Sequence, residues 1–153
     1  RNAVVNFGRI MQLANPRQLY DQPANRFVAD FIGDSTFLPV ARTGSGVTFD
    51  GAALKTTNPV PDAASLLLML RPERVRLLSG ATGDNMNTFA ATVSELVYQG
   101  DSYLMYAHLP DGSEISLRGA VRDGTVSGLP KVGDPVTLGL DPSDTVVIDG
   151  TDS

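Results

Sequence analysis

Cysteine and tryptophan are missing from these 153 residues, and aromatic residues make up only 7%. Histidine occurs once, at His108, and lysine only at Lys55 and Lys131. Without cysteine there is no disulfide framework, no thiolate metal site and no cysteine nucleophile, although the compartment stays open. Lys55 follows Leu54 and Lys131 follows Pro130, so neither stands in the Gly-Lys-Ser/Thr of a phosphate-cradling P-loop. His108 has no second histidine and no motif-placed serine to work with, and it reads as a half-exposed strand residue. The aspartates lie singly at turn positions rather than in an Asp-x-Asp-x-Asp-Gly calcium loop. A basic surplus is also lacking: 12 Lys and Arg face 17 Asp and Glu, for a net charge of −5, which disfavours nucleic acid and anionic lipid as partners. No apolar run reaches membrane-spanning length, and no signal-peptide pattern follows Arg1. The expectation is a soluble piece of a longer chain.

At 42% hydrophobic, the chain can bury one domain core with an appendage. Leu66–Leu70 is a continuous apolar run of strand length, which must be covered on both faces. Pro72 then removes a backbone donor, and Val75 and Leu77 alternate with Arg74 and Arg76, so the stretch reads as strand, kink, strand. Upstream, Arg1–Gln12 suits a hairpin or strand pair. Asn15-Pro16-Arg17-Gln18 carries capping signals for a short helix with Leu19 and Tyr20, and Phe27, Val28, Phe31 and Ile32 set one apolar face on a second helix that Gly33 would stop.

After residue 33 the chain turns to short β-prone runs separated by Gly, Pro, Asp and Asn, which predicts a barrel or sandwich over 34–153. Strands are expected over Thr36–Arg42, Val47–Phe49, Ala53–Thr57, Thr88–Tyr98, Ser102–Leu109, Glu114–Arg118, Val136–Leu140 and Thr145–Ile148. Pro110-Asp111-Gly112 is the strongest hairpin signal among them. Arg71, Glu73, Arg74 and Arg76 form the densest charge cluster, either an ion-paired sheet edge or an interface or anion contact. Tyr98, Tyr103 and Tyr106 could make a base-stacking platform, but read first as core and hairpin packing. Leu78-Ser79-Gly80-Ala81 and Val146-Val147-Ile148-Asp149 are faint likenesses of a nucleotide-site signature and a Walker B strand, without the required flanking context.

Gly8-Arg9-Ile10-Met11-Gln12, Pro16, Leu19-Tyr20, Pro23 and Phe27-Val28-Ala29-Asp30-Phe31-Ile32-Gly33 resemble the segment that ends the nucleotide-binding domain of ABC importer ATPases. Leu70-Arg71-Pro72-Glu73, Tyr98-Gln99-Gly100-Asp101, Asp111-Gly112 and the closing strand pair resemble that family's C-terminal regulatory region, the TOBE domain with its OB-like barrel. Leu129-Pro130 with Val132-Gly133-Asp134 leans toward the polyamine (spermidine/putrescine) type, with iron- and sugar-type importers sharing the other features.

The resemblance implies a mainly β fold, an OB-like or MOP-like barrel or sandwich, preceded by a short strand and two short helices. It implies that 1–33 is the tail of the nucleotide-binding domain and 34–153 the regulatory domain. It further implies no catalytic, cofactor or metal residue in this region, with ATP and Mg belonging to the full-length protein. The expected setting is the cytoplasmic side of the inner membrane, as a homodimer reaching permease subunits through the nucleotide-binding domain and binding no nucleic acid. Candidate interface or regulatory residues are Arg71, Glu73, Arg74, Arg76, Phe27 and Phe31. The competing expectation is a small-anion-binding MOP-like domain using Arg71, Arg74 and Lys131.

Overall fold

A computed structural model describes residues 2–6, 9–14, 20–23, 26, 29, 34–44, 46–78, 85–121 and 129–151, the first two strands by their backbone. It divides into two compact units, residues 1–69 with 145–153, and residues 70–144. Twelve strands account for the described fold, β1 to β12 in chain order.

In the first unit, β1 (Asn2–Asn6) and β2 (Arg9–Ala14) pair antiparallel as a separate ribbon with a register shift between Val4 and Val5. A second sheet has the order β12-β6-β3-β4-β5, built from β3 (Thr36–Thr43), β4 (Gly46–Phe49), β5 (Ala52–Leu54), β6 (Leu66–Leu70) and β12 (Val146–Asp149). The apolar run Leu66–Leu70 is β6, and Leu66, Leu68, Met69 and Leu70 are all buried, as a strand covered on both faces requires. Its neighbour β12 comes from the far end of the chain and pairs antiparallel, Val147 opposite Leu68, with Gly150 N–H donating to Ser65 O at 2.8 Å. Met69, Val146, Ile148 and Ala29 form one apolar cluster, with Phe37 and Leu67 packed against it.

The second unit is a single sheet in the order β10-β9-β8-β11-β7, from β7 (Arg76–Leu78), β8 (Asn87–Gln99), β9 (Ser102–His108), β10 (Glu114–Ala120) and β11 (Pro135–Leu140). Asn87, Phe89, Ala91 and Val93 are buried and alternate with exposed neighbours along β8, the two-residue period of a strand with one wet face. The period slips at Ser94, where the β8–β9 register shifts between Val93 and Glu95, and the Ser94 hydroxyl bonds the Tyr106 carbonyl at 3.1 Å. Tyr103 stands opposite Gly119 across β9 and β10, and a Cβ at Gly119 would lie 2.5 Å from the phenolic oxygen. Glycine there is what lets the ring lie flat on the strand. At the far edge, Arg118 N–H donates to Pro72 O at 2.9 Å, tying β10 to the turn that precedes β7.

The expected strands therefore appear, and the architecture is mainly β. The two short helices are not borne out as elements among the described residues. Helical backbone occurs there only at Tyr20–Asp21, Arg26 and Ala29, and the rest of both stretches, Phe27 and Phe31 included, lies outside the described residues. Capping signals are local preferences worth about 1 kcal/mol, which do not by themselves offset the cost of nucleating one or two turns.

Candidate regulatory surface

Four of the six candidate residues follow β6 in the second unit, Arg71, Glu73 and Arg74 at the turn and Arg76 at the start of β7. Pro72 presets the backbone after Leu70-Arg71, and Arg74 N–H closes the turn on Arg71 O at 2.9 Å. The four charges then part company. Arg71 is only 3% exposed, a guanidinium drawn into the protein beside buried Pro72. Glu73, at the tip of the turn, is exposed. Arg74 ion-pairs with Asp144, Nη1 to Oδ1 at 2.7 Å, with the carboxylate end the more buried of the two. Arg76 is exposed on the edge strand β7.

The partner carboxylates come from the 3-10 turn Pro142–Asp144 and the residue before it. Asp141 Oδ1 accepts from Ser143 N–H at 2.9 Å and from the Ser143 hydroxyl at 2.8 Å, and Asp144 N–H donates to Asp141 O at 2.9 Å. The Ser143 backbone and hydroxyl bonds hold the Asp141 carboxyl below the usual carboxylate range, with a smaller push from the Arg76 guanidinium. Asp144 thus pairs with Arg74, while Asp141 feels the charge of Arg76. Chemically the arrangement is an ion-paired turn beside an edge strand that carries an exposed arginine, and a charged edge resists pairing with a stray strand.

The remaining candidates occupy separate places. Lys131 is exposed on a turn whose Asp134 carboxylate accepts from Lys131 N–H at 2.9 Å, so Arg71, Arg74 and Lys131 sit in three different environments. His108 is half-exposed, 3.5 Å from Glu114 across the β9–β10 pair. Tyr103 is buried, and desolvation raises its phenol above the ordinary value, while Tyr98 is 47% exposed on the neighbouring strand. A buried, a half-buried and an exposed tyrosine do not make a stacking platform. Ser79 and Gly80 lie outside the described residues. Among the described residues no group of three or more His, Cys, Asp or Glu could hold a metal ion, and no helix is long and apolar enough to cross a membrane.

Sequence reasoning passed over Asp141 and Asp144 as ordinary turn residues. The available signal was two carboxylates three positions apart around Pro142-Ser143, but nothing local links them to arginines some 70 positions earlier.

A family model described as the TOBE domain matches residues 68–148. The chain belongs to the TOBE domain family. Its relatives include the spermidine/putrescine import ATP-binding protein PotA of Rubrobacter xylanophilus, 39% identical over 75% of this chain and 32% of that protein. Another is the sulfate/thiosulfate import ATP-binding protein CysA 2 of Chromobacterium violaceum, 38% identical over 65% of this chain and 27% of that protein. The chain spans about a third of the length of the curated relatives it matches. The cytoplasmic molybdate-binding protein ModG, solved with molybdate bound, shares the OB-like fold: TM-score 0.52 at 15% identity, covering 76% of this TOBE chain and 95% of ModG.

Proposed function

We propose that this TOBE chain is the non-catalytic C-terminal regulatory and dimerisation region of an ABC importer ATPase of the polyamine type. In this reading residues 1–33 are the tail of the nucleotide-binding domain and 34–153 the regulatory domain, on the cytoplasmic side of the inner membrane. ATP and Mg are bound elsewhere in the full-length subunit, which meets the permease through its nucleotide-binding domain and pairs with a second copy of itself. The observation that carries the reading is the family match over 68–148, combined with relatives such as PotA and CysA 2 that are named import ATP-binding proteins. Relatives named for a polyamine and for sulfate match at nearly equal identity, 39% and 38%, which supports solute choice being made outside this region.

The role is mechanical: the region sets how far two ATPase subunits open, with Arg71, Glu73, Arg74 and Arg76, and Phe27 and Phe31, as interface or regulatory positions. In the full-length subunit assembled with its permease in vesicles, Arg74→Glu or Arg76→Glu should change spermidine-stimulated ATP turnover while leaving the KM for ATP unchanged. Unchanged turnover in both variants would reduce the arginines to surface. Light scattering on the isolated chain should give a dimer mass, and a monomer throughout the micromolar range would remove the dimerisation role. The likeness to ModG favours a second reading, a small-anion-binding MOP-like domain. Calorimetry with molybdate and with sulfate separates the two: saturable heat lost in Arg71→Ala or Lys131→Ala supports the anion site, and flat traces leave the mechanical role alone.

A further inference from the structure

Asp-Gly occurs four times in the chain, at 50–51, 111–112, 123–124 and 149–150, and the pair at 123–124 lies outside the described residues. The other three have the same local chemistry, since a glycine nitrogen beside an aspartate carboxyl is the least hindered setting for the backbone to attack the side chain. Their surroundings differ. At Asp111-Gly112 the carboxylate accepts from Ser113 N–H at 2.8 Å, and Gly112 N–H is spent on Leu109 O at 2.9 Å. At Asp149-Gly150 the carboxylate accepts from Thr151 N–H at 2.8 Å, and Gly150 N–H is spent on Ser65 O at 2.8 Å. Space around Gly150 is also short, because a Cβ there would lie 2.9 Å from Leu67 and Ser65 atoms.

Asp50-Gly51 forms the loop of the β4–β5 hairpin, between paired Phe49 and Ala52. Asp50 is exposed, and neither its carboxylate nor Gly51 N–H takes part in a hydrogen bond found among the described residues. A Cβ on Gly51 would meet nothing within 4 Å. Asp50 is also the one non-glycine residue at positive φ among the described residues, at 51°, the left-handed conformation that an L side chain resists.

We propose that Asp50-Gly51 is a modification site, the one of the three described Asp-Gly pairs at which this protein isomerises spontaneously to isoaspartate. The Gly51 nitrogen attacks Asp50 Cγ, its proton and the carboxyl hydroxyl leave as water, and a five-membered succinimide joins the two residues. Water then adds to either ring carbonyl. One product is the original linkage, and the other routes the backbone through the β-carboxyl and leaves a free α-carboxylate, so composition is unchanged overall. The chain gains a backbone methylene at a turn and sheds the positive-φ aspartate. At Asp111 the Ser113 bonds that tie the carboxyl also lower its pKa, which depletes the neutral acid needed to lose water.

The test is peptide mapping with electron-transfer fragmentation on the full-length protein held warm at neutral pH, folded and in urea. In the folded protein isoaspartate should accumulate at 50 roughly ten-fold faster than at 111 or 149, the factor that a single hydrogen bond to each reacting group is worth. In urea the three rates should converge. Equal or faster conversion at 111 or 149 in the folded protein overturns the proposal. So does the same ranking in urea, which would place the cause in local sequence rather than in the turn.

Discussion

The sheet of the first unit and the sheet of the second are both five-stranded, and they meet burial in different ways. In the first, β6 buries consecutive residues and gains its neighbour β12 from the end of the chain, so its stability rests on a contact of long sequence separation. In the second, β8, β9 and β10 follow one another through hairpins and alternate buried with exposed positions. A continuous apolar run announces a core strand without saying what covers it, whereas an alternating run joined by a hairpin announces both its face and its neighbour.

The largest break in that comparison should come from Leu68, which is fully buried opposite Val147. Leu68→Ala should cost about 2–5 kcal/mol in chemical denaturation, against well under half of that for Leu104→Ala at a half-buried position in β9. Similar losses at the two sites would mean that β6 is not the better-covered strand. Next is Gly119→Ala, where the new methyl meets the Tyr103 ring; the ring is only 6% exposed and cannot swing clear. A cost of about 1–3 kcal/mol is expected. In a double-mutant cycle with Tyr103→Leu most of it should disappear, and strict additivity would refute the contact.

Smaller still is Arg74→Ala. Its pair with Asp144 is partly exposed at the arginine end, so about 0.2–1 kcal/mol should be lost, and less in high salt. A salt-independent loss would point to packing of the arginine stem instead. The smallest effect concerns acid. Both Asp111 and Asp141 are held below the usual carboxylate range, chiefly by Ser113 and Ser143 respectively, so the folded form binds a proton less readily than the unfolded chain. Their contribution is complete above the unfolded carboxylate pKa and is lost as pH falls through the lower folded values. Asp111→Asn and Asp141→Asn should therefore flatten the acid limb of the stability curve. A limb of undiminished slope in the double variant would assign it to other carboxylates.

Much of the second unit was legible. The turn after β8 and the Asp111-Gly112 hairpin were both readable, because a turn residue at positive φ and a two-residue period are local facts. Asp50-Gly51 carries the same signal between the runs expected as strands, Val47–Phe49 and Ala53–Thr57, where β4 and β5 form and pair. The candidate surface was legible by half: the arginines stood out as a cluster, and their acidic partners did not.

Sequence alone determined the β character, the strand run Leu66–Leu70 and most hairpins. Each of these follows from residue type or from spacing within a few positions. Tertiary structure alone decided that β12 lies beside β6, that Tyr103 rests on Gly119, that Arg71 is buried while Arg76 is exposed, and which Asp-Gly has its reacting groups untied. These depend on which distant segments are brought within hydrogen-bond or van der Waals reach. Identical dipeptides and neighbouring arginines differ only in what the fold places against them.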